Sequence, residues 1–179
     1  MKTFLELKVP IKFENQWFLE LRSELKDANV IWQKDFYHIT MVFVDRAPSN
    51  SGVCELLQKH LDSFETPTIT FDKVDIFEAY TNGMQIVHLA STNPPKDFLQ
   101  LVDDIRLDMS CLGGDIKSEF RLHVTLGRIM EPKLFIEETG SILDEFNLAP
   151  ITLQLSDIDY REFRGRTIYT KKLNIPCEK

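Results

Sequence analysis

Two short stretches of this sequence carry a histidine followed two residues later by a threonine. They are His38-Ile39-Thr40 and His123-Val124-Thr125. Both lie in runs rich in β-branched and apolar residues, which predict strands. Alternate side chains of a strand share a face, so each stretch should present an imidazole and a hydroxyl together. If the two faces meet, two imidazoles and two hydroxyls surround a space about the size of a phosphate group.

Such an arrangement suits the opening of a phosphodiester. The reaction needs a base to take a proton from the attacking water and an acid to protonate the leaving oxygen. His38 and His123 are the candidates for these roles, which the near-identical motifs leave interchangeable. The hydroxyls of Thr40 and Thr125 could donate hydrogen bonds to the non-bridging oxygens. The four histidines of the chain have no metal-binding spacing, so we expect neither a metal nor a cofactor.

The plain alternative is that both histidines are ordinary strand residues beside threonines favoured by strand propensity. The two stretches agree over eight positions, however: apolar or aromatic, His, β-branched, Thr, apolar, any residue, Phe or Arg, apolar. His60 and His88 lack a threonine two residues on, and we do not expect them to be catalytic.

The elements that would hold these motifs occur twice in the same order. Each series is a helix, a histidine strand, a second helix and two strands. The first series is predicted at about 14–27, 36–44, 50–64, 68–77 and 84–90. The second is predicted at about 95–112, 120–129, 133–146, 151–158 and 166–175. The histidines lie 85 positions apart, which is close to the offset of the other elements.

This repetition predicts a single domain, 1–179, made of two similar lobes related by a pseudo-twofold axis. We place the first lobe at approximately 11–90 and the second at approximately 94–175, with the N-terminal strand 3–10 assigned to neither. Tight turns are expected at Asn82-Gly83 and Gly113-Gly114.

Composition limits the function further. A net charge of −7 and a pI near 5.1 argue against binding of long duplex nucleic acid. Cys54, Cys111 and Cys177 are odd in number and widely spaced, which indicates neither disulfides nor zinc and favours the cytoplasm. No stretch approaches the roughly 20 apolar residues of a membrane span, so we expect no membrane contact, and we expect a monomer.

The two motifs resemble those of the 2H phosphoesterase superfamily, in particular its branch of RNA 2',3'-cyclic phosphodiesterases and 2'-5' RNA ligase-like proteins. The resemblance rests on residues 38–44 and 123–129 and extends over nearly the whole chain. The second motif of the family often continues His-x-Thr-Leu-Ala-Arg, and here Gly127 replaces the alanine.

The resemblance implies a bilobal α+β fold in which two antiparallel β-sheets with flanking helices surround a central cleft. It also implies hydrolysis of a 2',3'-cyclic phosphate, on a short RNA end or a small cyclic nucleotide, to a 2'-phosphate. By the same resemblance Phe43 could stack on a base and Arg128 could bind phosphate. Residues 161–166, Arg-Glu-Phe-Arg-Gly-Arg, depart from the Gly-rich sequence frequent in the family. Their arginines either steer an anionic substrate or form a solvated turn.

Two other functions stay open. The same histidines could act on 2'-5' phosphodiester bonds, as a 2'-5' oligonucleotide phosphodiesterase or an RNA ligase. Alternatively, the protein could be a noncatalytic nucleotide-binding module.

Overall fold

The structure is a computed structural model that describes residues 1–79, 83–116, 119–130 and 136–175. The helices are α1 Gln16–Glu24, α2 Asn50–Leu61, α3 Lys96–Cys111 and α4 Ile136–Glu145, with a 3₁₀ turn at Lys26–Ala28. The strands are β1 Thr3–Lys8, β2 Val30–Trp32, β3 His38–Val44, β4 Thr68–Phe71, β5 Lys73–Glu78, β6 Gln85–Ala90, β7 His123–Ile129, β8 Ile151–Gln154, β9 Asp157–Glu162 and β10 Thr167–Lys172. The predictions that concern Asn82, residues 133–135 and Cys177 lie outside the described residues.

The strands form three antiparallel sheets. The first sheet has the order β10-β9-β1-β3, the second has the order β2-β7-β6-β5, and β4 pairs with β8 in a third. The predicted α+β class with antiparallel sheets is confirmed. β3 and β7, which carry the two motifs, belong to different sheets but lie beside each other.

Strand pairing does not follow the predicted lobe boundaries. β9 and β10, from the end of the chain, complete the sheet of β1 and β3, whereas β5 and β6 pair with the later strand β7. Each sheet therefore draws strands from both of the ranges 11–90 and 94–175. The offset of 85 residues describes the order of elements along the chain, and no local pattern records which distant strands will pair.

Two of the predicted strands are each divided in the structure. The stretch 68–77 forms β4 and β5 in different sheets, and 151–158 contains β8 and the start of β9. Between β4 and β5 the carboxylate of Asp72 accepts hydrogen bonds from the Thr92 backbone amide, at 2.9 Å, and from the Thr92 hydroxyl. This polar contact lies where the chain leaves one sheet and enters the next.

The helices pack as their apolar stripes predict. In α3 the side chains of Phe98, Leu101, Val102, Ile105 and Met109 are all buried. Burial of each such side chain is worth about 1.5 to 3 kcal/mol. The helix ends at Cys111, and Gly113 just beyond it has a φ of 89°, the left-handed conformation expected there.

Both histidine strands contain a β-bulge at the same place in their motifs. In the pairing of β1 with β3, Leu5 is opposite Val42 and Glu6 is opposite Thr40, so that Met41 has no partner. In the pairing of β6 with β7, Val87 is opposite Gly127 and His88 is opposite Thr125, so that Leu126 has no partner. A bulge of this kind interrupts the regular alternation of side chains between the two faces.

The bulges bring the sixth residue of each strand, Phe43 in β3 and Arg128 in β7, to the face that carries the histidine. Phe43 and Arg128 each lie five positions after a histidine, and strict alternation would place them on the opposite face. β3 and β7 instead have the same burial pattern, with the first, third and sixth residues partly exposed and the others buried. One face of each strand therefore carries a histidine, a threonine and a third residue able to contact a ligand.

Candidate active site

A cavity of about 640 Å³ lies where β3 and β7 meet. All six site residues predicted from the sequence line it: His38, Thr40 and Phe43 from β3, and His123, Thr125 and Arg128 from β7. The two motifs, 85 residues apart in the chain, thus reach a common space of the size that accommodates a small organic ligand.

The two histidine rings are held by the same hydrogen bond. Nδ1 of His38 donates to the carbonyl oxygen of Phe36 at 3.0 Å, and Nδ1 of His123 donates to that of Arg121 at 2.8 Å. A carbonyl oxygen only accepts, so Nδ1 carries the hydrogen in both rings. In its neutral form each ring then has its lone pair on Nε2, which is the atom left for proton transfer.

His123 lies against an aromatic wall. The centroid of its ring is 5.0 Å from that of Phe77 and 5.6 Å from that of His88, both in edge-on arrangements. Burial lowers the pKa of His123 below 6.5, and the positive charges of His38 and Arg121 act in the same direction. Burial also lowers the pKa of His88, to about 4. Both rings are therefore largely neutral at neutral pH.

His38 has a polar neighbour instead. The buried carboxylate of Glu6 lies 3.7 Å from His38 Nδ1, and its other oxygen lies 3.7 Å from the guanidinium of Arg161. In the strand register Glu6 is opposite Thr40, so its side chain is on the face that carries the motif. The carboxylate can hold the ring and balance its charge when it is protonated.

Both threonines present hydroxyls without a partner. Within the part of the chain that the structure describes, the Thr40 and Thr125 hydroxyls make no hydrogen bond, although both residues line the cavity. They can therefore donate to a bound oxyanion without losing an existing contact.

Phe43 and Arg128 are the remaining two of the six predicted site residues. The ring of Phe43 packs edge-on against Phe163, with centroids 5.8 Å apart. Arg128 donates a hydrogen bond to Oε1 of Gln33 at 3.2 Å, which holds one side of its guanidinium. This contact uses one of five N–H donors and leaves others to bind an anion.

Three residues near the histidines were missed by the sequence analysis: Glu6, Phe77 and His88. His88 has no threonine two residues on, yet its ring contacts that of His123. Glu6 gave no signal in the sequence, because an acid that alternates with Leu5 and Leu7 is the ordinary pattern of a strand with one polar face. His60 lies elsewhere and donates a hydrogen bond from Nε2 to the Asp108 carboxylate at 2.9 Å, joining α2 to α3.

Other predicted features can be placed in the structure. Among the described residues, no cluster of three or more His, Cys, Asp or Glu side chains could hold a metal ion. Cys54 and Cys111 are free thiols. None of the described helices is long and apolar enough to cross a membrane.

Comparison with protein families identifies the class. The model of the 2'-5' RNA ligase superfamily matches residues 11–169. The chain therefore belongs to this superfamily of 2H phosphoesterases, as the resemblance of its two motifs predicted.

Solved structures with the same fold accompany the family match. Apo E. coli LigT aligns with a TM-score of 0.57 and 17% identity, over 97% of this chain and 94% of LigT. Usb1 of Kluyveromyces marxianus aligns with a TM-score of 0.66 and 11% identity, over 96% and 98% of the two chains. The PDE domain of MHV ns2 aligns with a TM-score of 0.55 and 14% identity, over 98% and 99%. A comparison with curated proteins finds no match.

Proposed function

We propose that this protein is a metal-independent phosphodiesterase that hydrolyses 2',3'-cyclic phosphates of RNA ends or small nucleotides to 2'-phosphates. One observation carries the proposal. Two histidines with the same backbone-fixed tautomer line one cavity together with two threonine hydroxyls that have no hydrogen-bond partner among the described residues. Related structures have been solved with nucleotide-sized ligands, E. coli LigT with 3'-AMP and Usb1 with uridine monophosphate, which supports a small or short substrate. Localisation in the cytoplasm and a monomeric state remain predictions.

The difference between the two histidines suggests how they divide the reaction. His123, whose lowered pKa keeps it neutral, takes a proton from water through Nε2. The resulting hydroxide equivalent attacks phosphorus, and the bond from phosphorus to the 3' oxygen breaks. Protonated His38 gives its proton to that oxygen, which leaves a 3' hydroxyl and a 2'-phosphate. Exchange of protons with solvent restores both rings.

The charge that develops on the phosphoryl oxygens needs stabilisation in the transition state. The Thr40 hydroxyl on β3, and the Thr125 hydroxyl and Arg128 guanidinium on β7, supply hydrogen-bond donors in this cavity. Donors fixed in advance of the reaction are worth more than water, because they do not reorganise as the charge grows.

A second activity is supported by the family match, whose description is 2'-5' RNA ligase. Two histidines that cleave a phosphodiester can also serve the reverse reaction, so 2'-5' linked oligonucleotides are the alternative substrates. Cleavage or joining of these oligomers, with no turnover of 2',3'-cyclic phosphates, would favour this alternative.

The decisive experiment is an assay of a 2',3'-cyclic nucleotide and an oligonucleotide with a 2',3'-cyclic end, in the presence of a chelator. We expect the wild type to release 2'-phosphate, and His38→Ala and His123→Ala each to lower kcat by about 10²- to 10⁴-fold. His60→Ala is the matched control, because this histidine is bonded to Asp108 on α3 and does not line the cavity.

Three results would contradict the proposal in different ways. Full activity of both alanine variants would remove the histidines from the mechanism. Loss of activity in chelator would show that a metal is needed. Tight binding of the 2'-phosphate product without turnover of any substrate would identify a noncatalytic binding module.

A further inference from the structure

A row of aromatic side chains extends from His38 along the first sheet. The ring of Phe4 lies 6.0 Å from that of His38, and Phe4 is directly opposite Phe43 in the pairing of β1 with β3. The ring of Phe43 in turn lies 5.8 Å from that of Phe163, in the turn that joins β9 to β10. We refer to Phe4, Phe43 and Phe163 as the aromatic track.

The track runs away from the histidines. β1 is antiparallel to β3, so that Lys8 is opposite His38 and Thr3 is opposite Val44 at the other end. The Phe163 amide bonds to the Lys2 carbonyl, beyond that far end. Phe43 is five residue steps along β3 from His38, at most roughly 16 Å. One nucleotide whose phosphate lies between the histidines would not cover this distance, whereas two would.

Each ring of the track has a cation beside it. The guanidinium of Arg161 lies 5.9 Å from the Phe4 ring, and the ammonium of Lys2 lies 5.9 Å from the Phe43 ring. The guanidinium of Arg164 lies 5.4 Å from the Phe163 ring. Rings that accept bases, next to cations that accept phosphates, are the pattern by which proteins hold single-stranded nucleic acid.

The outer end of the track is the most open part. Phe163 is 48% exposed, which is unusual for a phenylalanine. Arg161 and Lys2 lie near the carboxylates of Glu6 and Asp45, at 3.7 and 2.9 Å, but Arg164 has no acidic partner among the described residues. In a chain of net charge −7, this unpaired cation next to an exposed ring marks where a polyanion can approach.

We propose that the aromatic track binds the nucleotides that precede the terminal phosphate of a single-stranded RNA. The preferred substrate is then an oligonucleotide with a 2',3'-cyclic end, and not a cyclic mononucleotide. This inference rests on the proposed function and specifies its substrate class. The base of the preceding nucleotide stacks at Phe43 and Phe163, and its phosphate contacts Arg164.

The test compares a cyclic mononucleotide with a trinucleotide that has a 2',3'-cyclic end. We expect wild-type kcat/KM to be higher for the trinucleotide. Phe163→Ala should lower the trinucleotide value by about tenfold, since loss of one stacked base has an effect of this order. The mononucleotide value should not change, which also shows that the variant is folded. Leu19→Ala, which removes another exposed apolar side chain on α1, should change neither value.

Arg164 is tested by the dependence of KM on salt. Arg164→Gln should reduce the slope of log KM against log salt for the trinucleotide by about 0.7, the value for one phosphate contact on a single strand. Arg166→Gln is the matched control, because this arginine of the same turn is already paired with Glu162 at 3.3 Å. Its slope should stay close to that of the wild type.

Equal wild-type kcat/KM for the two substrates would overturn the inference, as would a Phe163→Ala loss of the same size on both. If the wild type hydrolyses neither substrate, the proposed function fails, and a binding measurement then tests the aromatic track independently. Fluorescence anisotropy with a trinucleotide that ends in a 2'-phosphate should then show weaker binding by Phe163→Ala. Unchanged binding would overturn the track.

Discussion

The two histidine strands carry the same residues with the same bulge, but their partner strands do not match. In the first sheet Glu6 is opposite Thr40, and in the second sheet His88 is opposite Thr125. The first motif thus has a buried carboxylate beside it, and the second has a neutral ring in an aromatic wall. β7 also lies between two strands, whereas β3 pairs with β1 alone among the described strands.

This difference offers a physical basis for the division of roles that we propose for the two histidines. Two nearly identical motifs supply equivalent groups, and an acid and a base must differ in protonation at the same pH. In the proposed mechanism the neighbours supply that difference. Burial lowers the pKa of His123, the proposed base, and the Glu6 carboxylate lies beside His38, the proposed acid. The sequence of the motifs alone does not contain this information.

The largest expected effect is a difference between the two histidine variants on a substrate whose leaving group needs no proton. A nitrophenyl phosphodiester has a leaving group that departs without a proton. On it, His38→Ala should lose only a few-fold in kcat, whereas on a 2',3'-cyclic phosphate it should lose about 10²- to 10⁴-fold. His123→Ala should lose the full amount on both, measured by steady-state kinetics. The reverse pattern would exchange the two roles.

His88 provides a test through stability. Its pKa is about 4 in the folded protein and 6.5 in the unfolded chain, so unfolded molecules bind the proton more readily. The resulting stability is complete above pH 6.5 and is lost as the pH falls toward 4, by about 3 kcal/mol in total. In urea unfolding from pH 7.5 to 4.5, His88→Gln should lose less stability than the wild type. Parallel curves would mean that His88 does not titrate in this way.

Gly127 lies where β7 pairs with β2, a second neighbour that β3 does not have among the described strands. A β-carbon there would lie 2.6 Å from Val30 Cγ1 on β2, so Gly127→Ala should lower the free energy of unfolding by about 1 to 3 kcal/mol. Val42 has the matching position in β3 and carries a full side chain there. Val30→Ala should restore part of the stability when it is combined with Gly127→Ala. Equal stability of Gly127→Ala and the wild type, by denaturant unfolding, would contradict this packing.

The smallest effect concerns Glu6. Glu6→Gln keeps the shape but removes the charge beside His38, and kcat on the cyclic phosphate should fall by about tenfold. The nitrophenyl substrate should be hydrolysed as before, since only the acid step is affected. Asp159→Asn is the control, because this buried acid of the same sheet is paired with Lys8 at 2.7 Å. A loss of the same size in Asp159→Asn would indicate a general effect of charge.

Much of the fold could be predicted because it depends on short patterns. Stripes of apolar residues predicted the packing of α3, and β-branched runs predicted β3 and β7. The exchange of strands between the two halves could not be predicted, because it depends on pairing between distant residues. Glu6 and His88 were missed for the same reason, since each reaches its histidine from a neighbouring strand.

Phe43 and Arg128 illustrate a different limit. Regular alternation would have excluded them, and only the family resemblance made them candidates. The bulges at Met41 and Leu126 explain why both residues nevertheless lie on the face of the histidine. A bulge is visible in the register with the partner strand and not in the sequence of the motif.

The pairing of β1 with β9 has a consequence for how the protein is made. Thr3 is opposite Glu162 in that pairing, so β1 acquires this neighbour only after the ribosome has added the 159 residues that follow Thr3 up to Glu162. Contacts of such long sequence separation also make folding slow, because a large loop must close before they form. Until then β1 can pair with β3 on one side only, and its other edge stays open in the nascent chain. This interval is when a chaperone would be of most use to the protein.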